Sequence, residues 1–177
     1  MVKDLITKIT SFKEVHNNAQ TVVRAFKTAH LQYARLRELQ VQLYGKKQAL
    51  CLSVITRWGT QIRLLASLIK NKDAIRRYTT MYTPKDLGVE AFEYAASYSF
   101  WAEVERLYDM LKPIDEVLKM SESSKGHLGM VVDRWDTIVT HLERQGNLGD
   151  FLQKGGHFEK RYITTDLSLI VYSIAKS

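Results

Sequence analysis

Apolar side chains recur at intervals of three and four residues along most of this chain, and that spacing is typical of one face of an α-helix. The first series consists of Phe12, Val15, Ala19, Val22, Val23 and Phe26. The series Leu36, Leu39 and Leu43 predicts a second helix over residues 31–44, which should end at Gly45. The first series is a core-facing stripe, and the second continues the helical pattern up to Gly45.

Two further apolar series predict helices later in the chain. One is Phe100, Trp101, Val104, Leu107, Tyr108, Leu111, Ile114, Val117 and Leu118, and the other is Leu128, Val131, Val132, Trp135, Ile138, Val139 and Leu142. Pro113 should kink the first of these helices rather than end it. Thr83 and Pro84 predict another helix start, with Thr83 as N-cap. Residues 121–126 are expected to form a polar linker, and residues 146–156 a loose turn region.

Residues 49–54 are the one plausible strand. A single strand of this length cannot build a sheet by itself. The sequence therefore predicts an all-α, or nearly all-α, irregular helical array with at most one short strand. Its 177 residues are sufficient for one well-cored unit, so residues 1–177 are expected to form a single helical domain.

Composition limits the class of protein further. Hydrophobic residues make up 45% and charged residues 25% of the chain, an ordinary globular balance. Every apolar run is far shorter than the roughly 20 residues that span a bilayer, so no membrane partner is expected. Cys51 is the single cysteine, which excludes an internal disulfide, and the first residues do not resemble a secretory signal. We expect a reducing, intracellular location.

Positive charge is concentrated in the first half of the sequence. Residues 1–80 contain 15 Lys/Arg and 4 Asp/Glu, a net charge of +11, whereas residues 81–177 contain 11 and 15, a net charge of −4. Phosphate contacts supply most sequence-independent affinity for nucleic acid, so the basic half is expected to face DNA. A solvated surface or an acidic protein partner is the alternative. The cations concerned are Lys46, Lys47, Arg57, Arg63, Lys70, Lys72, Arg76 and Arg77.

Arg57 and Trp58 stand side by side at a predicted helix start within this basic half. A guanidinium can bind phosphate, and an indole can stack on a base that has left its own stack. The pair is therefore a candidate nucleic-acid contact. The competing interpretation makes Trp58 a core anchor and Arg57 a solvated charge.

Short motifs spread over nearly the whole chain occur in a recognisable order. They are Val2–Ile6, Phe12–Glu14, Val22–Lys27, Leu36–Leu39, Thr56–Thr60, Leu64–Leu68, Phe100–Val104, Leu111–Pro113, Phe158–Tyr162 and Leu167–Ala175. In order and spacing they resemble the middle of hAT-family transposases, in which a Thr-Arg-Trp-x-Ser-like motif precedes a leucine-rich helix. Gly59 and Thr60 depart from that pattern, because the family more often has a polar residue followed by Ser.

The resemblance implies a place within a larger enzyme. Members of the family have a ribonuclease H-like core, whose three acidic residues hold divalent metal ions such as Mg²⁺, and a large helical insertion before the last acid. Residues 1–60 would be a remnant of the core region, and residues 61–177 would be insertion-like. The chain would then lie between the second and third acids, which implies no catalytic residue, no cofactor and no enzyme activity of its own. Arg57 and Trp58 match a motif that helps handle the DNA end, and the family implies a nuclear location.

An independent active site has little support in the sequence. Asp133 and Asp136 lie one helical turn apart, as do Glu103 and Arg106, but such pairs are typical of a solvated helix face. The histidines are scattered and form no metal-ligand pattern with Cys51, and there is no glycine-rich phosphate loop. No metal site and no small-molecule substrate are therefore expected. The aromatic series Phe92, Tyr94, Tyr98, Phe100 and Trp101 favours a core role over a base-stacking platform.

The function expected from the sequence is that of a catalytically incomplete fragment of a hAT-type DNA transposase, which contributes to DNA binding through its basic half. The alternative is a helical protein–protein interaction module derived from a decayed or co-opted transposon. Full-length relatives tend to oligomerise, so the resemblance leaves self-association open for this chain.

Overall fold

The computed structural model describes residues 10–54 and 58–122. Seven α-helices account for most of them: α1 (Thr10–Thr28), α2 (His30–Tyr44), α3 (Trp58–Lys70), α4 (Lys72–Met81), α5 (Pro84–Leu87), α6 (Val89–Ala96) and α7 (Tyr98–Glu122). No strand occurs among these described residues. The prediction of an all-α fold is confirmed for this part of the chain, while the origin of residues 1–60 in a ribonuclease H-like core stays a prediction.

The chain divides into two compact units. The described residues 10–108 belong to one unit, which holds α1–α6 and the first part of α7, and residues 109–122 belong to the other. The sites discussed below lie within residues 10–108. The domain boundaries expected from the sequence stay a prediction.

The core of the first unit is organised around α1. The six apolar residues predicted for its inner face are all buried: Phe12, Val15, Ala19, Val22, Val23 and Phe26. Through this face α1 contacts α2, α3 and α6. Phe26 packs edge-on against Tyr78 of α4, with ring centroids 5.0 Å apart. Because full burial of one such side chain stabilises a fold by roughly 1.5–3 kcal/mol, this stripe holds the unit together.

Helix α2 ends where the sequence predicts. Gly45 has a φ of +69° and its N–H donates to the Val41 carbonyl at 2.9 Å, a left-handed termination that favours glycine. Leu36 and Leu39 are buried as expected, but Leu43 is 48% exposed. Leu43 lies in the last turn of the helix, at the edge of the core.

Helix α5 begins with the predicted cap. The Thr83 N–H and hydroxyl both donate to Asp86 Oδ2, at 3.0 and 2.8 Å, and Pro84 follows in the first turn. Arg35 of α2 donates to Asp86 Oδ1 at 3.0 Å, and its guanidinium lies 4.5 Å from the centre of the Tyr82 ring. The bonds from Thr83, and then the one from Arg35, lower the pKa of Asp86. The cap thus also joins α5 to α2.

Helix α7 continues past Pro113 to Glu122, so the prediction that this proline does not end the helix is confirmed. Ser121 and Glu122 are still helical, so the predicted linker 121–126 is wrong for these two residues, and its other residues lie outside the described part of the chain. The helix predicted from the series Leu128–Leu142, the turn region 146–156 and the motifs at 158–175 lie outside the described residues.

Candidate nucleic-acid interface

The connection between α2 and α3 is attached to the helices by side chains. Gln40 of α2 accepts from the Gln48 N–H through Oε1 and donates to the Gln48 carbonyl through Nε2, both at 2.9 Å. This amide offers the chain the same donor and acceptor that a neighbouring strand would offer. Residues 49–54 form no strand, since their backbone groups find partners on helix side chains instead.

A buried chain of polar side chains extends this attachment to the start of α4. Gln40 Nε2 also donates to Asn71 Oδ1 at 2.6 Å, and Asn71 Nδ2 donates to the Ser67 carbonyl at 2.7 Å. The Ser67 hydroxyl accepts from the Cys51 N–H at 3.0 Å. Gln40, Ser67 and Asn71 are all buried. Because a buried polar group that loses its partner costs about 1–3 kcal/mol, these bonds fix where the connection lies.

The same attachment gathers lysines at one end of the unit. The Tyr44 hydroxyl, at the end of α2, accepts from the Ala74 N–H in the first turn of α4 at 3.0 Å. Lys46 and Lys47 follow Tyr44 closely in the chain, and Lys70 and Lys72 flank Asn71. The structure therefore brings Lys46 and Lys47 to the junction of α3 and α4. Neither sequence spacing nor composition indicates this arrangement.

Of the cations predicted for a DNA interface, five are exposed and have no ion-pair partner among the described residues: Lys46, Lys47, Arg63, Lys70 and Arg77. Arg63 and Lys70 are seven residues apart on α3, about 10 Å along the helix axis, and both are on its exposed side. Unpaired surface cations of this kind can exchange solvent for phosphate oxygens at little cost.

Arg76 and Lys72 are held differently. The Arg76 guanidinium lies 4.2 Å from the centre of the Tyr98 ring at the start of α7. Lys72 Nζ donates to Glu105 Oε1 at 2.7 Å. Of the cations predicted for an interface, these two are therefore already engaged within the unit, although Arg76 remains half-exposed.

The central prediction from the sequence, the pair Arg57 and Trp58, falls largely outside the described residues. Trp58 is the first residue of α3, which agrees with a helix start there. Arg57 and the side chain of Trp58 are not among the described groups, so their contact with nucleic acid stays a prediction.

The sequence analysis did not predict that one histidine is buried. His16 of α1 is 4% exposed, and its Nε2 lies 2.8 Å from the Ser53 hydroxyl. Gln20 Nε2 donates to the same hydroxyl at 2.6 Å. Burial lowers the pKa of His16. Its position, four residues after Phe12 and three before Ala19, was the available signal for burial.

A metal-binding group is not found in the described part of the chain, where no three or more His, Cys, Asp or Glu side chains come together. Glu103 and Arg106 line an open groove of about 320 Å³ beside Phe12 and Val15 of α1, and Asp133 and Asp136 lie outside the described residues. None of the described helices is long and apolar enough to cross a membrane.

We compared the chain with known proteins by family, by sequence and by structure. No protein-family model, no curated protein and no solved structure matches the chain.

Proposed function

We propose that the helical unit of residues 10–108 binds DNA through the exposed cations of its basic half, and that the chain is a helical part of a hAT-type transposase. The observation that carries the DNA-binding proposal is the exposure of five cations predicted for the interface, Lys46, Lys47, Arg63, Lys70 and Arg77, none of which has an ion-pair partner among the described residues. The transposase assignment rests on the order of the sequence motifs.

Charge is distributed unevenly within the described unit, and this supports a polyanionic partner. The described residues from 10 to 81 include 12 Lys/Arg and 3 Asp/Glu, whereas residues 82–108 include 2 and 5. Self-repulsion among so many like charges is unfavourable for a compact fold unless solvent or a ligand compensates it. A DNA backbone provides that compensation and releases its own counterions on binding.

The proposal assigns binding and no cleavage to this unit. Phosphodiester chemistry of the transposase type needs carboxylates from separate elements that converge on metal ions. We transfer no catalytic acid to any described residue, and Arg57 with Trp58 remains the proposed contact near a DNA end.

The experiment is a salt titration of DNA affinity with the full chain. A duplex oligonucleotide is bound at several salt concentrations, for the unchanged chain and for the double variant Lys46→Gln/Lys47→Gln. Each lost phosphate contact should flatten the plot of log affinity against log salt by about 0.9, so this variant should flatten it by about 1.8.

The matched control is Lys85→Gln/Arg106→Gln. It removes the same two charges from exposed positions of the acidic half and should leave the slope unchanged. Equal slopes for the two double variants, or no binding by the unchanged chain at low salt, would contradict the proposal.

A second candidate function is protein–protein interaction, and the outer face of α2 favours it. Leu31 and Val41 are 57% and 44% exposed, and Ala34 between them is also exposed. The spacing 31, 34, 38, 41 is that of a coiled-coil seam, interrupted by Glu38. If this face pairs two copies, sedimentation should detect dimers that Leu31→Ser/Val41→Ser removes. A monomer at all concentrations would contradict self-association.

A further inference from the structure

Tyr98 is the outlier among the aromatic residues of the unit. Its side chain is 75% exposed, whereas Phe100 and Trp101 in the same turn of α7 are buried. The sequence placed all three in one aromatic series with a core role. For Tyr98 that interpretation was wrong, because its ring lies outside the core at the first residue of the helix.

The backbone beneath Tyr98 is firmly fixed. Trp101 Nε1 donates to the Ala95 carbonyl at 2.8 Å, and Phe100 packs edge-on against Trp101 with ring centroids 5.2 Å apart. The Ser97 N–H donates to the Glu93 and Tyr94 carbonyls. An exposed ring on so rigid a support loses little conformational freedom when a ligand stacks on it.

Arg76 backs the ring. Its guanidinium lies 4.2 Å from the ring centre, and Arg76, together with the more distant charge of Lys72, lowers the pKa of the Tyr98 hydroxyl. The other arginine-backed tyrosines, Tyr33 and Tyr82, are only partly exposed. Tyr98 thus combines an open aromatic surface with a positive environment.

This combination suits an unpaired nucleobase. Bases inside a duplex stack on each other and present only their edges, whereas unpaired bases stack on aromatic side chains while cations bind the adjoining phosphates. We propose that Tyr98, backed by Arg76, is a stacking site for an unpaired base, so that the preferred DNA has a single-stranded segment. This inference rests on the proposed DNA-binding function.

The test compares three DNA ligands with the full chain: a single strand of about 12 nucleotides, within the usual site size, a blunt duplex, and the same duplex with a single-stranded overhang. Tyr98→Ala should weaken binding of the single strand and of the overhang by about 5- to 150-fold. It should leave blunt-duplex affinity within about twofold, and it should leave the salt slope unchanged, because no phosphate contact is lost.

Two variants separate stacking from a structural effect. Tyr98→Phe keeps the ring and should retain most of the affinity for single strands. Tyr33→Ala removes a partly exposed ring that is also covered by an arginine, Arg37, and should not change the ratio of single-strand to duplex affinity. Photocrosslinking from a 5-iodouracil base, mapped by mass spectrometry, should identify Tyr98.

The outcomes distinguish this inference from the function on which it rests. Salt-dependent DNA binding that Tyr98→Ala leaves intact, or weakens equally for duplex and single strand, would overturn the stacking site while the DNA-binding proposal stands. Absence of binding to all three ligands at low salt would overturn both.

Discussion

Two connections in this unit are held in opposite ways. The first, residues 45–54 between α2 and α3, is attached chiefly by neutral amides and hydroxyls such as those of Gln40 and Ser67, with one bond from Lys27 Nζ to the Leu50 carbonyl. The second, residues 82–88 around α5, is attached by charged groups, because Arg35 binds Asp86 and covers Tyr82. The difference determines how many lysines of each connection stay without an ion-pair partner. The first connection leaves two lysines, Lys46 and Lys47, without an ion-pair partner among the described residues, while the second leaves one, Lys85, because Asp86 is paired with Arg35.

The largest effect is expected from Gln40→Ala in the first connection. The substitution leaves the part-buried Gln48 N–H and carbonyl and the buried Asn71 amide without their partner, which should lower the free energy of unfolding by about 3 kcal/mol. Urea denaturation measures it. Gln42→Ala, at an exposed position of the same helix, is the control and should change stability by less than about 0.5 kcal/mol. Similar losses for both variants would show that the amide does not hold the connection.

The two connections should also respond to pH in different ranges. Burial lowers the pKa of His16 from 6.5, so the folded state binds this proton less readily than the unfolded state. Stability contributed at His16 is therefore present above pH 6.5 and falls as pH drops below that value. Asp86, whose pKa is lowered from 3.8, contributes stability that is lost only below about pH 4.

Stability measured between pH 5 and 8 tests this contrast. The unchanged chain should lose stability toward pH 5, and His16→Gln should reduce the slope. Asp86→Asn should leave the slope over that range unaltered. If His16→Gln leaves the slope unchanged, His16 does not cause the pH dependence expected for the first connection.

The smallest effect is expected from Arg35→Gln in the second connection. The Arg35 and Asp86 side chains retain 28% and 30% of their exposure, and an ion pair that solvent reaches contributes less than about 1 kcal/mol. Thermal or urea unfolding should therefore show a loss well below that of Gln40→Ala. DNA affinity should also be unchanged, because Arg35 is already engaged. A loss of stability as large as that caused by Gln40→Ala would contradict the expectation that the ion pair contributes less than the buried amide.

Local patterns account for what the sequence predicted well. The stripe on α1 and the cap at Thr83 depend on residues within a few positions of each other, so spacing alone reveals them. Gln40 and Asn71 are 31 positions apart, and nothing in either residue type marks the pairing. Arg76 was counted as a free cation because its contact with Tyr98 likewise depends on how α4 and α7 pack.

Spacing also misjudged Tyr98. It lies three residues before the buried Trp101, the interval of a shared helix face. It is nevertheless exposed, because α6 ends at the extended residue Ser97 and Tyr98 is the first residue of the next helix. Helix ends are where a periodic pattern carries least information, since the last turn lacks neighbours on one side. Leu43, in the last turn of α2, is also exposed.

The most direct test of the central claim is an NMR titration of the full chain with blunt duplex DNA, which locates the surface that binds. Amide shifts should concentrate around Lys46, Lys47, Lys70 and Arg77, and they should disappear as salt is raised. Residues of the acidic half, such as Glu90 and Glu93, should not shift. Shifts centred on the acidic half, or none at low salt, would contradict the claim that the exposed cations of the basic half form a DNA interface.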